Sequence, residues 1–343
     1  MPKAFVTGAT GFVGSNVARV LLESGREIRL LARPGSDRRN LPNAPAVEIC
    51  EGDLTDRASL ERGLRGCDEV FHVAADYRFW ARDSREFYEN NVDGTRNLLR
   101  AAGAAGVKKF VHTSTVGTIG LADEPNPAHE SSPYDPGQFS VHYKKSKWEA
   151  EKIALEFAKD GLPVVIVNPS TPIGPWDRKP TPTGKLIVDF VNGKMPAYVE
   201  TGLNFVHVRD VALGHLLAAE KGKVGERYIL GNQNLTMLNF LELLGRLTGR
   251  QVPKIRIPYR IAWFTGLVST GYSSLVSKKH PAVPIEAVKM SKRFMFFDAS
   301  KAVRELGLPQ TSLEIAALDA LGWFDQNGYF TSRLEVKREI LKG

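Results

Sequence analysis

The chain has 343 residues, of which 43% are hydrophobic, and its formal net charge is +8. This length and apolar content exclude an intrinsically disordered chain and a long array of domains, and they are enough for a large buried core. No block of five or six like charges is present, so the basic balance does not favour a nucleic-acid partner. Cys50 and Cys67 have neither metal-site spacing nor a disulfide framework, which indicates a reducing, cytoplasmic setting.

Short apolar runs alternate with longer helical patterns from residue 1 to about residue 170. The predicted strands are 3–8, 27–32, 46–52, 69–75, 108–115 and 163–169. The predicted helices are 12–24, 56–65, 84–105 and 142–160. Near-continuous apolar strands are typical of sheets covered on both faces, and the alternation indicates crossover connections. The pattern therefore predicts an α/β fold with a doubly wound parallel sheet, a Rossmann arrangement.

The segment after strand 163–169 has a different composition, with five prolines in the seventeen residues 168–184. It predicts a loop at the carboxyl end of a strand, where such sheets bind ligands. The elements predicted next are helix 183–192, then strand 204–208, helix 209–222 and strand 226–231, which return to the sheet, and a mostly helical remainder 236–343. The predicted division is a main domain of residues 1–170 plus about 204–232, and a smaller, mostly helical C-terminal lobe of residues 171–203 plus 233–343.

The longest apolar region is 261–276, which Gly266, Gly271 and several hydroxyl groups interrupt. It is too short and too polar to span a bilayer. Because it lacks a basic polar face of its own, a packed helix is favoured, and transient contact with a membrane surface is the alternative. The N-terminus runs directly into the first strand pattern, so no signal peptide is expected.

A glycine-rich turn, TGATGFVG, follows the first strand and opens the first helix. Gly8, Gly11 and Gly14 allow a tight turn and a close backbone approach, while Phe12 and Val13 begin a helix whose positive end suits a diphosphate. The alternative is a turn that merely needs glycine. Its place at the start of a strand–helix–strand unit favours a dinucleotide, so we expect the main domain to bind NAD(P).

The end of the second strand bears on the choice of cofactor. A carboxylate usually stands near this point where the ribose 2′-hydroxyl is free, but this chain has Ala32 and Arg33. Arginine suits a 2′-phosphate, so NADP(H) is favoured, NAD(H) remains possible, and a solvated basic loop is the alternative. Arg38 and Arg39 are weaker candidates for the same phosphate.

Two further turns are predicted to contact the cofactor. Asp53 can accept from an adenine amino group while the Leu54 backbone reads the ring edge, because Asp56 is the better helix cap. The small side chains of Ala74 and Ala75 let a cofactor lie close to the backbone after the fourth strand.

The stretch HYKKSK opens the helix predicted at 142–160. Tyr143 and Lys147 are four residues apart and share a helix face. Lys147 can lower the pKa of the phenol and hold a ribose, and Tyr143 can transfer a proton to a substrate oxygen. The preceding strand ends in Ser114 and Thr115, either of which can hold that oxygen. The alternative is a basic helix start facing water, but the Rossmann setting favours catalysis.

These motifs together resemble the extended short-chain dehydrogenase/reductases, the superfamily of nucleotide-sugar epimerases and dehydratases and of dihydroflavonol-4-reductase-like enzymes. The resemblance covers essentially the whole chain. The motifs that carry it are TGATGFVG, GDLTD, NNVDGTRNLL, TSTVGTIG, YKKSK, FVHVRDVA and DASKAVRELG. More narrowly, AADYRFWARDSREFYENNVDGT followed by STVGTIG resembles the bacterial hopanoid-associated sugar epimerase subgroup.

The resemblance implies a catalytic set of Thr115, with Ser114 as the alternative hydroxyl, Tyr143 and Lys147. It also implies three residues beside the nicotinamide: Asn91, Pro169 and Ser170. A homodimer through helices 84–105 and 142–160 is implied by the family alone.

Two departures weaken a nucleotide-sugar substrate. Thr171 stands where such enzymes often have asparagine, and the stretch KRFMFF has Arg293 as its only arginine. Tyr77 and Trp176 follow strand ends and either contact the substrate or pack between the lobes. Lys144 and Lys145 are expected to face solvent.

Three functions follow from these residues. The first is an NADP(H)-preferring oxidoreductase that moves hydride between nicotinamide and a ketone or secondary alcohol, with the substrate held by the smaller lobe. The second is a nucleotide-sugar epimerase or dehydratase, and the third is a non-catalytic NADP-binding sensor or scaffold. A small-molecule substrate is expected, and no histidine pair has the spacing of a metal site.

Overall fold

A computed structural model describes residues 2–78, 80–121, 126–134, 142–274, 281 and 283–334. The strands are β1 Lys3–Thr7, β2 Glu27–Ala32, β3 Val47–Glu51, β4 Glu69–His72, β5 Lys109–Thr113, β6 Val164–Pro169, β7 Thr171–Ile173, β8 Ala197–Tyr198, β9 Gly202–His207, β10 Arg227–Leu230, β11 Gln233–Thr236 and β12 Ile255–Arg256. The α-helices are α1 Phe12–Glu23, α2 Arg57–Leu64, α3 Arg85–Tyr88, α4 Gly94–Ala105, α5 His142–Lys159, α6 Pro182–Val191, α7 Val208–Lys221, α8 Met237–Thr248, α9 Tyr259–Tyr272, α10 Ile285–Met290, α11 Ser300–Leu306 and α12 Leu313–Gln326.

The main sheet has seven strands within the described residues, in the order β10-β6-β5-β4-β1-β2-β3. All the pairings are parallel, which confirms the predicted doubly wound Rossmann fold. The strand order reverses beside β1, which pairs with β2 on one side and β4 on the other. Open sheets of this kind bind ligands at the carboxyl ends of the strands at such a reversal.

Helices cover both faces of this sheet, as the near-continuous apolar strands require. Phe5 on β1 faces a core shared with α2, α4 and α5, whereas Val6 faces a core shared with α1 and α7. Both side chains are fully buried, and burying one such side chain contributes about 1.5–3 kcal/mol. The alternation along each strand therefore fixes the sheet between two helical layers.

The smaller sheet consists of β11, β9 and β7. Its core is shared with α6, α8 and α12 and includes Phe205, which stacks on Phe240 with ring centroids 4.2 Å apart. The expectation that strand 204–208 returns to the main sheet is wrong, because β9 pairs parallel with β7 and antiparallel with β11. The apolar run of β9 is compatible with either sheet, so its periodicity does not predict which strand it pairs with. The predicted strand 226–231 does return, as β10 beside β6.

The predicted helix 84–105 is not uniform. Between α3 and α4, residues Glu89–Asp93 form a π-helical segment that contains Asn91. Such segments are rare and frequently occur at functional sites.

The apolar stretch 261–276 does not form the packed helix that was favoured. Its described part is mostly α9, in which only Ala262 and Gly266 are buried. Among the described residues, no helix has the length and apolar content needed to cross a membrane.

Candidate active site

The glycine-rich turn after β1 has no room for side chains. Gly8 has φ +77°, and a Cβ placed on it would lie 2.5 Å from the backbone nitrogen of Ala74. A Cβ on Gly14 would lie 2.2 Å from the carbonyl oxygen of Gly8. The turn is closed by Gly11 N–H, which donates to the Gly8 carbonyl oxygen at 2.9 Å. The first turn of α1 therefore packs directly onto the end of β1, the geometry that a dinucleotide cradle needs.

Hydrogen bonds fix the loop after β3, and the predicted cap at Asp56 is present. Asp56 caps α2 by accepting from the Ser59 N–H at 3.3 Å. Asp53 accepts through Oδ1 from both the N–H and the hydroxyl of Thr55, at 2.9 and 2.7 Å. The Leu54 carbonyl oxygen accepts from the Asn97 side chain at 3.1 Å. These bonds hold Asp53 beside the carboxyl edge of the sheet.

The arginines after β2 differ in how they are paired. Arg38 forms an ion pair with Glu51, and Arg39 forms one with Asp37 at 2.6 Å. Arg33 is exposed, and its guanidinium has no ion-pair partner within the described residues. Arg33 is therefore the cation of this loop that is available to a phosphate.

The Tyr143 phenol lies beside the hydroxyl of Thr115, and the two side chains are hydrogen-bonded. Burial raises the pKa of Tyr143 to about 12, although the bond to Thr115 acts in the opposite direction. Thr115 itself begins the short 3₁₀ turn Val116–Thr118, where it accepts from the Gly117 N–H at 3.1 Å. The phenol is therefore protonated at neutral pH and held by the predicted hydroxyl.

Lys147 lies one turn further along α5 and is 2% exposed. Its Nζ donates to the Thr113 carbonyl oxygen at 2.7 Å. Burial lowers the pKa of Lys147 to about 8, and the charge of Glu151 partly opposes this. The predicted lowering of the Tyr143 pKa by Lys147 is not observed, because burial of the phenol dominates and the Lys147 ammonium is directed at Thr113.

Asn91, in the π-helical segment, bridges two parts of the site. Its side-chain oxygen accepts from the Asp76 N–H at 2.7 Å. Its side-chain nitrogen donates to the Asp76 carbonyl oxygen at 3.0 Å and to the Ser146 hydroxyl at 2.9 Å. Asn91 therefore ties the loop after β4, which carries Tyr77, to the helix that carries Tyr143.

A buried hydrogen-bond network lies behind Thr115, and the sequence patterns alone do not predict it. Glu151 is 2% exposed and accepts from the Thr118 hydroxyl at 2.7 Å, from Asn168 at 2.9 Å and from Arg227 at 3.1 Å. Asn168 also donates to the Thr115 carbonyl oxygen at 3.1 Å. The signal was present, because Glu151 follows Tyr143 and Lys147 at helical spacing on one face of α5.

The sequence predicts that Lys144 faces solvent, and this prediction is wrong, because the side chain is only 2% exposed. Its alkyl chain runs over Gly117, where an added Cβ would lie 3.3 Å from Lys144 Cε. Burial lowers the pKa of Lys144 to about 7. Lys145 is exposed as expected. The periodicity of HYKKSK did not show that the 3₁₀ turn packs on this side of α5.

Trp176 is the one non-glycine residue with positive φ in the described part of the chain, at +76°. Its ring lies under the Arg19 guanidinium, 3.5 Å from the ring centroid. Its carbonyl oxygen accepts from Asn40 at 3.1 Å. These contacts place Trp176 over α1, while its predicted substrate contact stays a prediction. A left-handed backbone at a bulky residue costs about 1–3 kcal/mol and is commonest at functional sites.

Ser170 and Thr171 follow β6 at the carboxyl edge of the main sheet. The Ser170 hydroxyl is buried and has no hydrogen-bond partner within the described residues. Its N–H donates to the Leu230 carbonyl oxygen at 3.1 Å, which fixes the backbone and leaves the hydroxyl available to a ligand. An unpaired buried hydroxyl at this edge, with the side-chain-free cradle of Gly8 and Gly14, fits a bound dinucleotide.

Comparisons with known proteins agree with this geometry. A sequence model of the NAD dependent epimerase/dehydratase family matches residues 4–231. A putative dihydroflavonol 4-reductase of Synechocystis is 46% identical over 95% of each chain. Sterol demethylase protein B of Methylococcus capsulatus is 36% identical, over 94% of this chain and 98% of its own. The solved structure of a nucleoside-diphosphate-sugar epimerase from Pseudomonas aeruginosa is 30% identical with a TM-score of 0.79, over 96% of this chain and 99% of that one.

Proposed function

Because the chain belongs to the NAD-dependent epimerase/dehydratase family, we propose that it is an NADPH-preferring carbonyl reductase. Its reaction moves hydride between the nicotinamide and a ketone or secondary alcohol. The family and an oxidoreductase-like character are established by the comparisons, while the coenzyme preference, the catalytic residues and the substrate are the proposal.

The observation that carries the proposal is that Tyr143, which is hydrogen-bonded to Thr115, shares a face of α5 with the buried Lys147. When bound, the nicotinamide supplies the hydride. Tyr143, protonated because its pKa is raised to about 12, donates its proton to the carbonyl oxygen that becomes the alcohol. Thr115 holds that oxygen in line, and the Lys147 ammonium binds the adjoining ribose.

Arg33 supports NADPH as the coenzyme. The loop after β2 has no carboxylate at its start, and Arg33 is the arginine there without an ion-pair partner in the described residues. A charge-assisted contact to a 2′-phosphate contributes about 1.5–3 kcal/mol. Replacing Arg33 with Ala is therefore expected to raise the Kd for NADPH by about 10- to 100-fold and to leave the Kd for NADH unchanged. Arg62→Ala, also exposed, is the matched control.

The reductase is favoured over a nucleotide-sugar epimerase by two features of this chain. Thr171 replaces the asparagine that touches a sugar diphosphate in many such enzymes, and Arg33 suits NADPH. The 46% identical relative carries a reductase name, whereas the epimerase structure is 30% identical. An epimerase returns its hydride before release and keeps its coenzyme, whereas a reductase exchanges coenzyme in every turnover.

Mass spectrometry of the nucleotide released from denatured, freshly purified protein separates these functions. An empty site or exchangeable NADP(H) supports the reductase. Stoichiometric NAD(H) that survives dialysis would establish internal redox chemistry and refute the proposal. If Tyr143→Phe binds NADPH as the wild type does and neither protein reduces any of a panel of ketones, a non-catalytic NADPH sensor is favoured instead.

A further inference from the structure

Helix α9 and its neighbours present most of the large apolar side chains that the structure leaves exposed. Of the thirteen such side chains in the described residues, eight lie between residues 255 and 283. They are Ile255, Ile261, Trp263, Phe264, Leu267, Val268, Tyr272 and Val283. Phe264 is 62% exposed and Val268 is 55% exposed. Contiguous exposed apolar surface usually marks an interaction site.

The way α9 packs explains why these side chains remain outside. Ala262 and Gly266, one turn apart, are the buried residues of α9. A Cβ on Gly266 would lie 3.1 Å from Val288 Cγ2 and 3.2 Å from the Cα of Ile285, so α10 approaches the backbone of α9 closely. The small residues take the buried face, and the large apolar residues occupy the remaining faces.

The excess positive charge of the protein is concentrated around this helix. Residues 250–293 contain nine Lys and Arg and one Glu, so the segment carries a net charge of +8. The rest of the chain contains 37 basic and 37 acidic residues and is neutral. The formal net charge of the whole protein therefore resides in residues 250–293, the segment that contains α9.

Lys289 forms an ion pair with Glu286, whereas other described cations of this segment have no such partner. Five of them are exposed and form no ion pair within the described part of the chain: Lys254, Arg256, Arg260, Lys292 and Arg293. Lys254 directly precedes β12 and Arg256 lies in it, Arg260 lies in the first turn of α9, and Lys292 and Arg293 directly follow α10, which packs on α9. An apolar helix is thus flanked by uncompensated positive charge.

We propose that α9, together with the flanking cations Lys254, Arg256, Arg260, Lys292 and Arg293, binds the surface of an anionic phospholipid bilayer. The helix lies in the interface with Phe264, Leu267 and Trp263 at the acyl boundary, and the flanking cations contact the headgroups. At 14 residues α9 is about 21 Å long, which is too short to cross a hydrocarbon core of about 30 Å. An anionic bilayer complements both features of this segment, because its apolar layer suits the exposed apolar side chains and its dense negative charge suits the unpaired cations.

Docking there would also orient the candidate active site. Ser273 and Ser274, at the end of α9, line a cavity of about 80 Å³ with Trp80, Ala81 and Arg82. That loop follows Asp76, which Asn91 ties to Ser146 on the helix that carries Tyr143. If the proposed function holds, the entrance to the site faces the lipid, and the substrate class is an apolar carbonyl compound dissolved in the membrane.

Vesicle sedimentation of the full chain tests the binding directly, without any substrate. We expect the wild type to bind vesicles of phosphatidylcholine with phosphatidylglycerol far more tightly than vesicles of phosphatidylcholine alone, and to be released by salt. Phe264→Ser with Leu267→Ser is expected to weaken binding by at least about 100-fold. Val303→Ser with Ile315→Ser, two exposed apolar residues elsewhere, is the matched control and should bind as the wild type does.

The charge contribution has its own pair of variants. Arg256→Gln with Arg260→Gln is expected to weaken binding to the anionic vesicles by about 30-fold and to reduce its salt dependence. Arg62→Gln with Arg246→Gln removes the same charge from other exposed positions and should have little effect. Unchanged thermal unfolding of each variant excludes a folding defect.

Quenching of tryptophan fluorescence by bromine-labelled lipid tests insertion with the conservative variant Trp263→Phe, which changes the protein surface very little. Quenching of the wild type that disappears in Trp263→Phe supports insertion of α9. No binding of the wild type to anionic vesicles, or equal losses in the control variants, would overturn the proposal. A dimer that dissociates in Phe264→Ser/Leu267→Ser, without vesicle binding by the wild type, would show that a second copy covers α9. Binding retained by Tyr143→Phe separates this result from the proposed catalysis.

Discussion

Replacing Glu151 with Gln tests whether the buried network behind Thr115 sets the charge of Lys147. The carboxylate is 2% exposed, and its charge raises the pKa of Lys147 against the larger effect of burial. Glutamine has nearly the same shape and removes only the charge and the pairing with Arg227. The Lys147 pKa, now about 8, should therefore fall in the variant.

The expected size follows from the geometry of α5. Residues four apart on a helix have Cβ atoms about 5–6 Å apart, and in a partly screened interior this interaction moves a pKa by about one pH unit. NADPH binding that needs the Lys147 ammonium should then weaken about one pH unit lower than in the wild type. The lost pair between Glu151 and Arg227, at 3.1 Å, lowers the free energy of unfolding by about 2 kcal/mol.

Titration of NADPH fluorescence between neutral and alkaline pH measures the first effect, and urea unfolding measures the second. Glu156→Gln is the matched control, because this glutamate is exposed on the same helix. If Glu151→Gln keeps the wild-type pH midpoint, or loses no more stability than Glu156→Gln, then the network does not control Lys147 and the reasoning is refuted.

Three further variants test the site. Tyr143→Phe should lower turnover of a ketone substrate by at least about 100-fold while NADPH binding, measured by fluorescence, is retained; normal turnover would exclude the phenol as the acid. Gly14→Ala should abolish NADPH binding and lower the melting temperature, because the new Cβ would lie 2.2 Å from the Gly8 carbonyl oxygen, whereas Gly103→Ala, with its nearest neighbour at 4.0 Å, should be tolerated. In the wild type the folded Lys147 loses its proton near pH 8, while the unfolded lysine keeps its proton to about pH 10.5, so stability from this group rises with pH across that window. Lys147→Met should remove this rise in melting temperature, and an unchanged pH dependence would contradict the lowered pKa.

The local signals in the sequence were sufficient to predict the seven parallel strands of the main sheet, although they did not exclude β9 from it. Strands covered on both faces must be apolar almost throughout, and the alternation with helical periodicity specifies parallel crossovers. The turn at Gly8 and Gly14 was equally predictable, because glycine is the only residue without a Cβ and the close backbone contacts there leave no room for one. The spacing of Tyr143 and Lys147 followed from helix geometry alone.

Other features depend on contacts between segments far apart in the chain. The partner of β9 was undetermined, since its apolar run satisfies either sheet, and the burial of Lys144 depends on a turn 27 residues earlier, at Gly117. The network of Glu151, Asn168 and Arg227 joins three elements that only the folded sheet brings together.

The exposure of α9 is the clearest case of this division. Its apolar composition was evident, and it favoured a buried helix, because apolar side chains usually leave water. Whether a helix finds a covering layer is decided by the surfaces available around it. Here α10 approaches α9 at Gly266, and among the described residues the rest of α9 except Ala262 stays at least partly exposed. The sequence by itself therefore determined that α9 is apolar, and the tertiary structure decided that it stays exposed.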